Sequence, residues 1–426
     1  MKPLPTSVTV AALLLAIVVG WSSTSAVAPL PQSFCSPVYY GGVASPRFLI
    51  VSDFPFHGVR RTDSEQFDAA IRFILARHQF KAGKYSVGYQ ACDDSNSETG
   101  FGDPTLCAAN AKAYAEDLSV IGVIGTWNSR CAGIEIPVLN GAPRGPLALV
   151  SPSNTSVGLT HSSAGTEPGE PGQYYPTGRR SFVRLIASDD FQGAGDAVLA
   201  SKLRLKRVVV LDDQERYGLN VAAGFKSAAR HLRLRLVGTA HWNPDTAQFQ
   251  AIAQAVHRAH ADGVFLSGAA SPSSGELFRE LRAALGNKGA ILAPDGFSSL
   301  STLIQTFGSS ATEGMYVSVP GFVRPKLGAL ARLVLKRFGA GRPGSGGPLD
   351  AAQSAEVLIA AIARSDGSRA STTRQLFRLR IVKGILGTFG FDRNGDITLD
   401  PITVFRARHG GAIFDREISV PHDLVR

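Results

Sequence analysis

The sequence has few of the residue types and motifs that mark common enzyme classes. Its 426 residues include four cysteines and two methionines. No HExxH, GxSxG or P-loop motif occurs, which argues against a zinc peptidase, a serine hydrolase with a nucleophile elbow and a P-loop nucleotidase. We therefore expect a protein that is not an enzyme, with a secreted α/β hydrolase as the enzymatic alternative.

Long hydrophobic runs are also scarce, and the first one has the layout of an export signal. Lys2 precedes an apolar run over residues 8–21, and small residues follow as far as Ala28. The run is shorter than the roughly 20 residues that span a bilayer. We expect residues 1–28 to be a signal peptide and the chain to be exported to the periplasm or cell envelope. A retained membrane anchor is the alternative.

Charge and size limit the remaining classes of protein. The formal net charge of +10 comes from basic residues scattered along the chain, without the basic stripe that binds nucleic acid. Hydrophobic residues make up 44% of the sequence, and roughly 400 residues exceed the size of a single hydrophobic core. We therefore predict two domains and no nucleic-acid partner.

The four cysteines predict two disulfides in an exported chain, and three pairings are possible. A short polar stretch separates Cys92 from Cys107, which favours joining this pair and leaves Cys35 for Cys131. No CxxC spacing is present, so we expect neither a metal site nor a cofactor.

Short β-rich runs alternate with helical periodicity, which is typical of parallel sheets covered by helices on both faces. The predicted strands are 48–52, 85–90, 120–125, 147–151, 208–212, 264–267, 291–294 and 315–319. The predicted helices lie near 108–117, 220–231, 248–260, 275–285 and 350–364. A further helix carries Phe67, Ile71 and Leu75 at four-residue spacing, with a cap among residues 62–64.

Three polar stretches interrupt this pattern. Residues 161–180 and 339–347 are rich in glycine, proline or serine and predict exposed loops. The first is longer than a normal connection, so we expect it to be disordered, with a functional flap as the alternative. Residues 392–400 imitate the start of a calcium loop but lack its closing glutamate, which favours a β-turn between two strands.

Polar loops follow several of the predicted strands. Residues 125–129 and 151–156 come after two successive strands, and ligands bind at the carboxyl ends of parallel strands in open α/β sheets. A helix is expected soon after Ser129, and the N–H groups of a helix start suit a carboxylate. Tyr217 and Asp295 follow two later strands, where an acid could pair with an ammonium group.

Six segments around these loops carry a family resemblance. They are VIGTWNS, LALVSPSNTS, LDDQERYG, LAPDGFSSL, ATEGMYVSVP and GTFGFDRNGDI. In this order, between about residues 47 and 408, they resemble the branched-chain amino acid binding proteins of ABC importers, which are type I periplasmic binding proteins.

The resemblance implies an α/β fold of two Rossmann-like lobes that are joined by three crossovers and hold the ligand in the cleft between them. Lobe 1 would comprise residues 46–184 and 321–385. Lobe 2 would comprise residues 185–320 and 386–426. Such receptors close their lobes around the ligand.

The resemblance also implies roles for single residues. Ser129 and Ser153, with nearby backbone N–H groups, would hold the ligand carboxylate. Thr155 and Asp295 would take the ammonium group. Tyr217 would close over the ligand from lobe 2.

Three positions depart from the family pattern. Ala269 stands where some relatives have an aromatic residue, which implies a roomier pocket. His57 lies near a position that is often aromatic. Arg130 follows the anchor serine and could reach a second anionic group, although an outward orientation is favoured.

The implied function is that of a receptor for an ABC importer, which binds an amino acid of the branched-chain type or a similar small carboxylate or amide. Its partners would be this small-molecule ligand and the membrane permease subunits. A sensory protein of an extracytoplasmic signalling system is the alternative. The hydrolase would need Asp295, Ser129 and His57 to converge in the cleft.

Overall fold

The computed structural model describes residues 29–96, 102–243, 246, 248–286, 288–321, 327–339, 347–399 and 401–425. The predicted signal peptide and most of the predicted 339–347 loop lie outside these residues. No helix within these ranges is long and apolar enough to cross a membrane.

The first sheet contains six strands among the described residues. They are β1 (Phe48–Phe54), β2 (Lys81–Ala82), β3 (Tyr85–Asp93), β4 (Val120–Gly125), β5 (Ala148–Ser151) and β6 (Phe182–Arg184). Their order is β2-β3-β1-β4-β5-β6. All neighbours are parallel except β2, which pairs antiparallel with β3.

The second sheet contains seven strands among the described residues. Its parallel strands are β7 (Val208–Asp212), β8 (Leu236–His241), β9 (Gly263–Leu266), β10 (Ala290–Ala293) and β11 (Met315–Pro320). The short strands β12 (Arg380–Ile381) and β13 (Phe389–Gly390) pair separately. The antiparallel strands β14 (Ile402–Arg408) and β15 (Gly411–Ile418) complete the order β15-β14-β11-β10-β9-β7-β8.

Helices connect and cover the strands of both sheets. In the first half they are α1 (Arg61–Arg77), α2 (Pro104–Glu116), α3 (Ser129–Asn140), α4 (Asp189–Lys202), α5 (Arg216–His231) and α6 (Gln250–Arg258). In the second half they are α7 (Ser274–Leu285), α8 (Leu300–Phe307), α9 (Ser309–Thr312), α10 (Ala329–Phe338), α11 (Gly347–Ala363) and α12 (Arg369–Leu376).

The central strands are apolar runs because helices cover both faces of each sheet. Every residue of β1 and of β4 is buried. Side chains alternate between the faces, so Ile50 and Ile124 join one core of the first sheet, whereas Leu49 and Val123 join the other. The fold therefore has a core on each side of each sheet.

The chain passes from the first sheet to the second after β6, returns after β11 and re-enters the second sheet at β14. Leu386, Phe389 and Ile397 pack in a core of the first sheet. The lobe bounds at 184/185, 320/321 and 385/386 stay a prediction, and these contacts favour a third crossing closer to Ile402.

All eight predicted strands are confirmed, as β1, β3, β4, β5, β7, β9, β10 and β11. The sequence analysis missed the outer strands β8 and β15, because each is largely half-buried or exposed and offers no continuous apolar run. The predicted helix cap among residues 62–64 is wrong. These residues lie inside α1, and Arg60 precedes the helix without a side-chain cap.

The prediction that residues 161–180 are disordered is also wrong. The carboxylate of Glu170 is buried and accepts hydrogen bonds from the hydroxyl of Tyr174 at 2.6 Å and from the backbone N–H of Glu167 at 3.0 Å. The hydroxyl of Tyr175 donates to the carbonyl of Leu159. The loop is ordered because it packs its own polar side chains, a pattern that composition does not reveal.

The predicted turn near residue 392 is confirmed. One carboxylate oxygen of Asp392 accepts hydrogen bonds from the backbone N–H groups of Asn394, Gly395 and Asp396 at 2.8 to 2.9 Å. Gly395 has a φ of +102°, which side chains larger than hydrogen rarely adopt. The turn lies between β13 and β14, as the sequence predicts.

The predicted disulfide pairing is wrong, since the structure joins Cys35 to Cys92 and Cys107 to Cys131. Residues 35–39 run antiparallel beside β3, which brings Cys35 against Cys92. Cys107 and Cys131 lie in the first turns of α2 and α3, which pack together. The short separation of Cys92 and Cys107 in the sequence does not join them, because β3 and α2 project these side chains in different directions.

Counting thiols in paired cysteine variants tests this pairing. Cys35→Ser with Cys92→Ser removes one whole disulfide, so we expect no free thiol and a loss of about 3 to 4 kcal/mol in the free energy of unfolding. Cys92→Ser with Cys107→Ser should leave two free thiols under denaturing conditions. Absence of thiols in the second variant would contradict the observed pairing and restore the pairing that the sequence favours.

Candidate functional site

The loop between β4 and α3 carries the first candidate anchor. Asn128 caps α3, and its side-chain oxygen accepts the backbone N–H of Cys131 at 3.0 Å. Ser129 is the first residue of the helix. The exposed N–H groups of a helix start carry partial positive charge, so this loop can attract an anionic group.

The predicted anchors Ser129 and Ser153 lie in two loops that are tied together. The hydroxyl oxygen of Ser129 accepts the backbone N–H of Ser156 at 3.2 Å, which leaves its own proton free to donate. The hydroxyl of Ser153 donates to the carbonyls of Thr126 and Trp127 at 3.1 and 2.9 Å. Ser129 can therefore donate to a ligand, whereas Ser153 holds the two loops in position.

Two further groups lie at the same edge of the first sheet. Nδ1 of His57 is 2.6 Å from Oδ2 of Asp93, and its side chain is about half exposed. The guanidinium of Arg60 lies over the ring of Trp127, 4.2 Å from the ring centroid. Arg130, in contrast, is exposed at the start of α3.

On the second sheet, Tyr217 and Asp295 meet directly. The hydroxyl of Tyr217 donates to Oδ1 of Asp295 at 2.5 Å and accepts the backbone N–H of Gly296 at 3.1 Å. A Cβ atom at Gly296 would lie 2.2 Å from the carbonyl oxygen of Gly268, so only glycine fits there. Burial raises the pKa values of both Asp295 and Tyr217.

Ala269 lies in the loop after β9, next to these residues. Its side chain is exposed, and its backbone N–H donates to Oδ2 of Asp213 at 3.2 Å. The backbone of Ala269 lies close to Gly296, since a Cβ atom at Gly296 would lie 3.0 Å from the Cα of Ala269. The roomier pocket expected from the sequence stays a prediction.

Asp189, which the sequence does not predict as a site residue, joins the two halves of the candidate site. Its backbone N–H donates to the carbonyl of Thr155 at 2.9 Å, and the Thr155 hydroxyl stabilises its carboxylate. Burial raises the pKa of Asp189 to about 7, and the charge of Asp295 adds to this rise. Thr155, Asp189 and Asp295 therefore form one acceptor-rich group.

A comparison with protein families gives a match over residues 87–412 to the family described as periplasmic binding protein. The chain belongs to this family. The members of this family are solute-binding proteins without enzymatic activity, and this chain has their fold. This agrees with the absence of the catalytic motifs named above from the sequence.

One curated relative of this periplasmic binding protein is the leucine-, isoleucine-, valine-, threonine- and alanine-binding protein of Pseudomonas aeruginosa. It is 24% identical over 233 residues, which cover 54% of this chain. The alignment spans 60% of the length of that relative.

Solved structures share the fold at lower identity. A leucine-binding protein from Thermotoga maritima has a TM-score of 0.70 at 21% identity and covers 88% of this chain and 99% of its own. An isoleucine complex from Streptococcus pneumoniae has a TM-score of 0.68 at 18% identity, with 88% and 99% covered. A benzoate complex from R. palustris has a TM-score of 0.66 at 14% identity, with 87% and 96% covered.

Behind the cleft of this binding protein, His161 bridges two carboxylates. Its ring nitrogens lie 2.9 Å from Oδ2 of Asp190 and 3.0 Å from Oδ2 of Asp396. Burial opposes protonation of the ring, but the two carboxylates outweigh it and raise the pKa of His161 to about 9. The imidazolium therefore ties α4 to the 392–396 turn at neutral pH.

The sequence predicts the loops of the candidate site but not several of the side chains that lie there. Arg60, Trp127, Asp189 and His161 were not identified, although Trp127 lies within the segment VIGTWNS. Asp189 follows the predicted crossover near Leu185, and an acid at a lobe crossing was the available signal. Nothing in the spacing of His161 points to Asp396, because more than 200 residues separate them.

We predict that His161 makes the free energy of unfolding decrease as the pH becomes alkaline. The folded-state pKa of about 9 exceeds the ordinary value of 6.5, so the stabilisation is complete below about pH 6.5 and is lost as the pH rises through about 9. The loss should reach at most about 3 kcal/mol. Urea unfolding of the wild type and of His161→Gln at about pH 6 and about pH 10 measures it.

The informative quantity is the difference in the free energy of unfolding between the wild type and His161→Gln, since buried carboxyls elsewhere also titrate in this pH range. The difference should shrink on going to the higher pH. The exposed His231→Gln variant serves as a control and should follow the wild type. A difference that stays constant between the two pH values would show that His161 is not protonated in the folded state.

Proposed function

We propose that this protein is the exported receptor of an ABC importer and binds an amino acid of the branched-chain type between its lobes. The observation that carries the proposal is the hydrogen-bonded, partly buried pair of Tyr217 and Asp295, which follow two parallel strands of the second sheet. Within the described residues, no lysine, arginine or histidine forms an ion pair with Asp295. A ligand ammonium group would supply the missing positive charge.

Asp189 strengthens this assignment of the amine end. One of its carboxylate oxygens, Oδ1, is buried without a hydrogen-bond partner among the described residues. Its carboxyl and that of Asp295 raise each other's cost of ionisation, so a cation between them would favour both charged forms. The ammonium group would then take Thr155, Asp189 and Asp295 as acceptors.

The carboxylate end of the ligand would lie at the first sheet. The free hydroxyl proton of Ser129 and the N–H groups at the start of α3 are donors of the kind that a carboxylate accepts. Ser153 contributes through its hold on the backbone of Thr126 and Trp127. The carboxylate of an amino acid would thus bind to lobe 1, whereas its ammonium group would bind chiefly to Asp189 and Asp295 of lobe 2.

The ordered 161–180 loop would support closure of the cleft. Glu170 in this loop forms an ion pair with Arg216, the residue before Tyr217 on α5. Gly165 packs against Asn220 and Ala223 of the same helix. The loop therefore connects the first sheet to the element that carries Tyr217.

Replacement of Asp295 by asparagine tests the amine site. Asn keeps the size of the side chain but removes the charge, so we expect at least roughly tenfold weaker binding of leucine, isoleucine and valine. Calorimetric titration of the purified chain, preceded by a thermal-shift screen, measures the affinity, because a bound ligand raises the melting temperature. The Glu276→Gln variant on α7, where a partly buried carboxylate pairs with Arg279, is the matched control and should bind as the wild type does.

Benzoate and 4-hydroxybenzoate complete the screen, since they carry a carboxylate without an amine. Binding of the benzoates alone would keep the solute-binding role and discard the amino-acid ligand and the role of Asp295. Equal weakening of amino acids and benzoates in Asp295→Asn would also remove the ammonium role. Absence of any ligand would favour a sensory or protein-binding role.

A further inference from the structure

A second hollow of about 370 Å³ lies on the first sheet, away from the cleft. Pro146 precedes β5, and Arg179 and Arg180 precede β6, so the hollow lies where these strands begin. The loops of the cleft follow the carboxyl ends of the same parallel strands. The two sites therefore occupy opposite edges of one sheet.

Five arginines line this hollow and no carboxylate does, so we name it the arginine pocket. They are Arg179, Arg180, Arg374, Arg378 and Arg393. None of them forms an ion pair with a carboxylate among the described residues. Asp366, outside the pocket, has a lowered pKa chiefly because of hydrogen bonds from Ser368, with a smaller part from Arg374. Like charges around one hollow repel each other, and a bound anion would relieve that repulsion.

Arg180 is the second sign of a missing ligand. Its guanidinium lies over the ring of Tyr175, 4.2 Å from the ring centroid. One of its nitrogens, Nη1, is buried without a hydrogen-bond partner among the described residues. A buried donor without an acceptor costs free energy, so an anion that reached this nitrogen would supply the missing acceptor.

Hydrogen bonds from three separate segments fix the walls of the pocket. The hydroxyl of Thr373 on α12 donates to the carbonyl of Pro146 at 2.8 Å. The side chain of Asn140 donates to the carbonyl of Arg179 at 2.7 Å. The backbone N–H of Arg184 donates to Gly395 at 3.0 Å, which holds the turn with Arg393 beside β6. The pocket is thus formed before any ligand arrives.

We propose that the arginine pocket binds a small organic phosphate. Guanidinium groups match phosphate oxygens with paired hydrogen bonds, and several of them favour a dianion over a monoanion. Pro146, Ala370 and Phe377 provide an apolar wall beside the charges. A phosphate attached to an apolar or aromatic body fills both parts, and the volume is within the range of small-molecule sites.

Calorimetric titration with phenyl phosphate tests the proposal. We expect one binding site on the full chain, weaker binding of inorganic phosphate, and weaker binding of both as salt increases. Arg374→Ala with Arg378→Ala should weaken phenyl phosphate at least roughly tenfold. Arg378→Ala with Arg393→Ala is a second variant, in case the first lowers the melting temperature.

The matched control is Arg230→Ala with Arg258→Ala, which removes the same charge from exposed positions on α5 and α6 of the second sheet. It should bind phenyl phosphate as the wild type does. Equal weakening in the control, or binding that survives in both pocket variants, would overturn the proposal. Co-sedimentation with phosphatidylglycerol vesicles without binding of phenyl phosphate would point to lipid head groups and would also overturn it.

Discussion

The buried guanidinium of Arg184 connects four segments of the chain, the most distant of which lies more than 200 residues away in the sequence. Nε of Arg184 binds Oδ1 of Asp396 at 2.6 Å, and its terminal nitrogens bind the carbonyl of Ser156 at 2.8 Å and the hydroxyl of Thr160 at 2.5 Å. This side chain joins the end of β6, the 151–156 loop, the 157–175 loop and the 392–396 turn. The relative positions of these four segments therefore depend on this one buried side chain.

The same network explains why neighbouring acids behave differently. Burial disfavours ionisation of Asp190 and Asp396, but His161 and Arg184 outweigh it, so the pKa values of both carboxyls lie below their ordinary range. Asp189 precedes Asp190 in sequence but has no ion-pair partner among the described residues, and burial raises its pKa to about 7. The surroundings of each acid, not its residue type, decide which carboxylate already has a cationic partner and which can respond to a ligand.

The first sheet also contains buried carboxyls with raised pKa values. Burial raises the pKa of Asp53 to about 7 and that of Asp94 to about 9, and the pKa of Glu135 also rises. These carboxyls lie among the buried residues around α2 and α3, where protonation avoids the cost of a buried charge. Asp189 and Asp295 differ in the proposed function, because they would lie beside the ammonium group of the ligand.

The parts of this protein that sequence patterns predict are those with a local cause. Buried parallel strands are continuous apolar runs, and the loops after them follow from strand ends, so the loops that carry Ser129, Thr155, Tyr217 and Asp295 could be located in advance. The disulfide pairing, the ordered 161–180 loop and the bridge from His161 to Asp396 could not. Each depends on contacts between distant segments, which neither composition nor spacing contains.

The shared fold does not by itself determine which ligand binds. Structures with nearly the same TM-score are described as a leucine-binding protein and a benzoate complex, so the fold accepts both classes. Both ligands have a carboxylate, and the start of α3 would serve either one. The difference lies at the opposite end, where an amino acid brings a cation and benzoate does not.

In this protein, Asp189 and Asp295 are the residues that we propose for that end of the ligand. With benzoate in the cleft, Asp189 and Asp295 would have to bind protons or remain charged beside an apolar ring, and both outcomes cost free energy. With an amino acid, the ammonium group would pair with them and lower both pKa values. The two carboxyls, together with Tyr217, are therefore the physical reason to favour an amine-bearing ligand over an acid that lacks one.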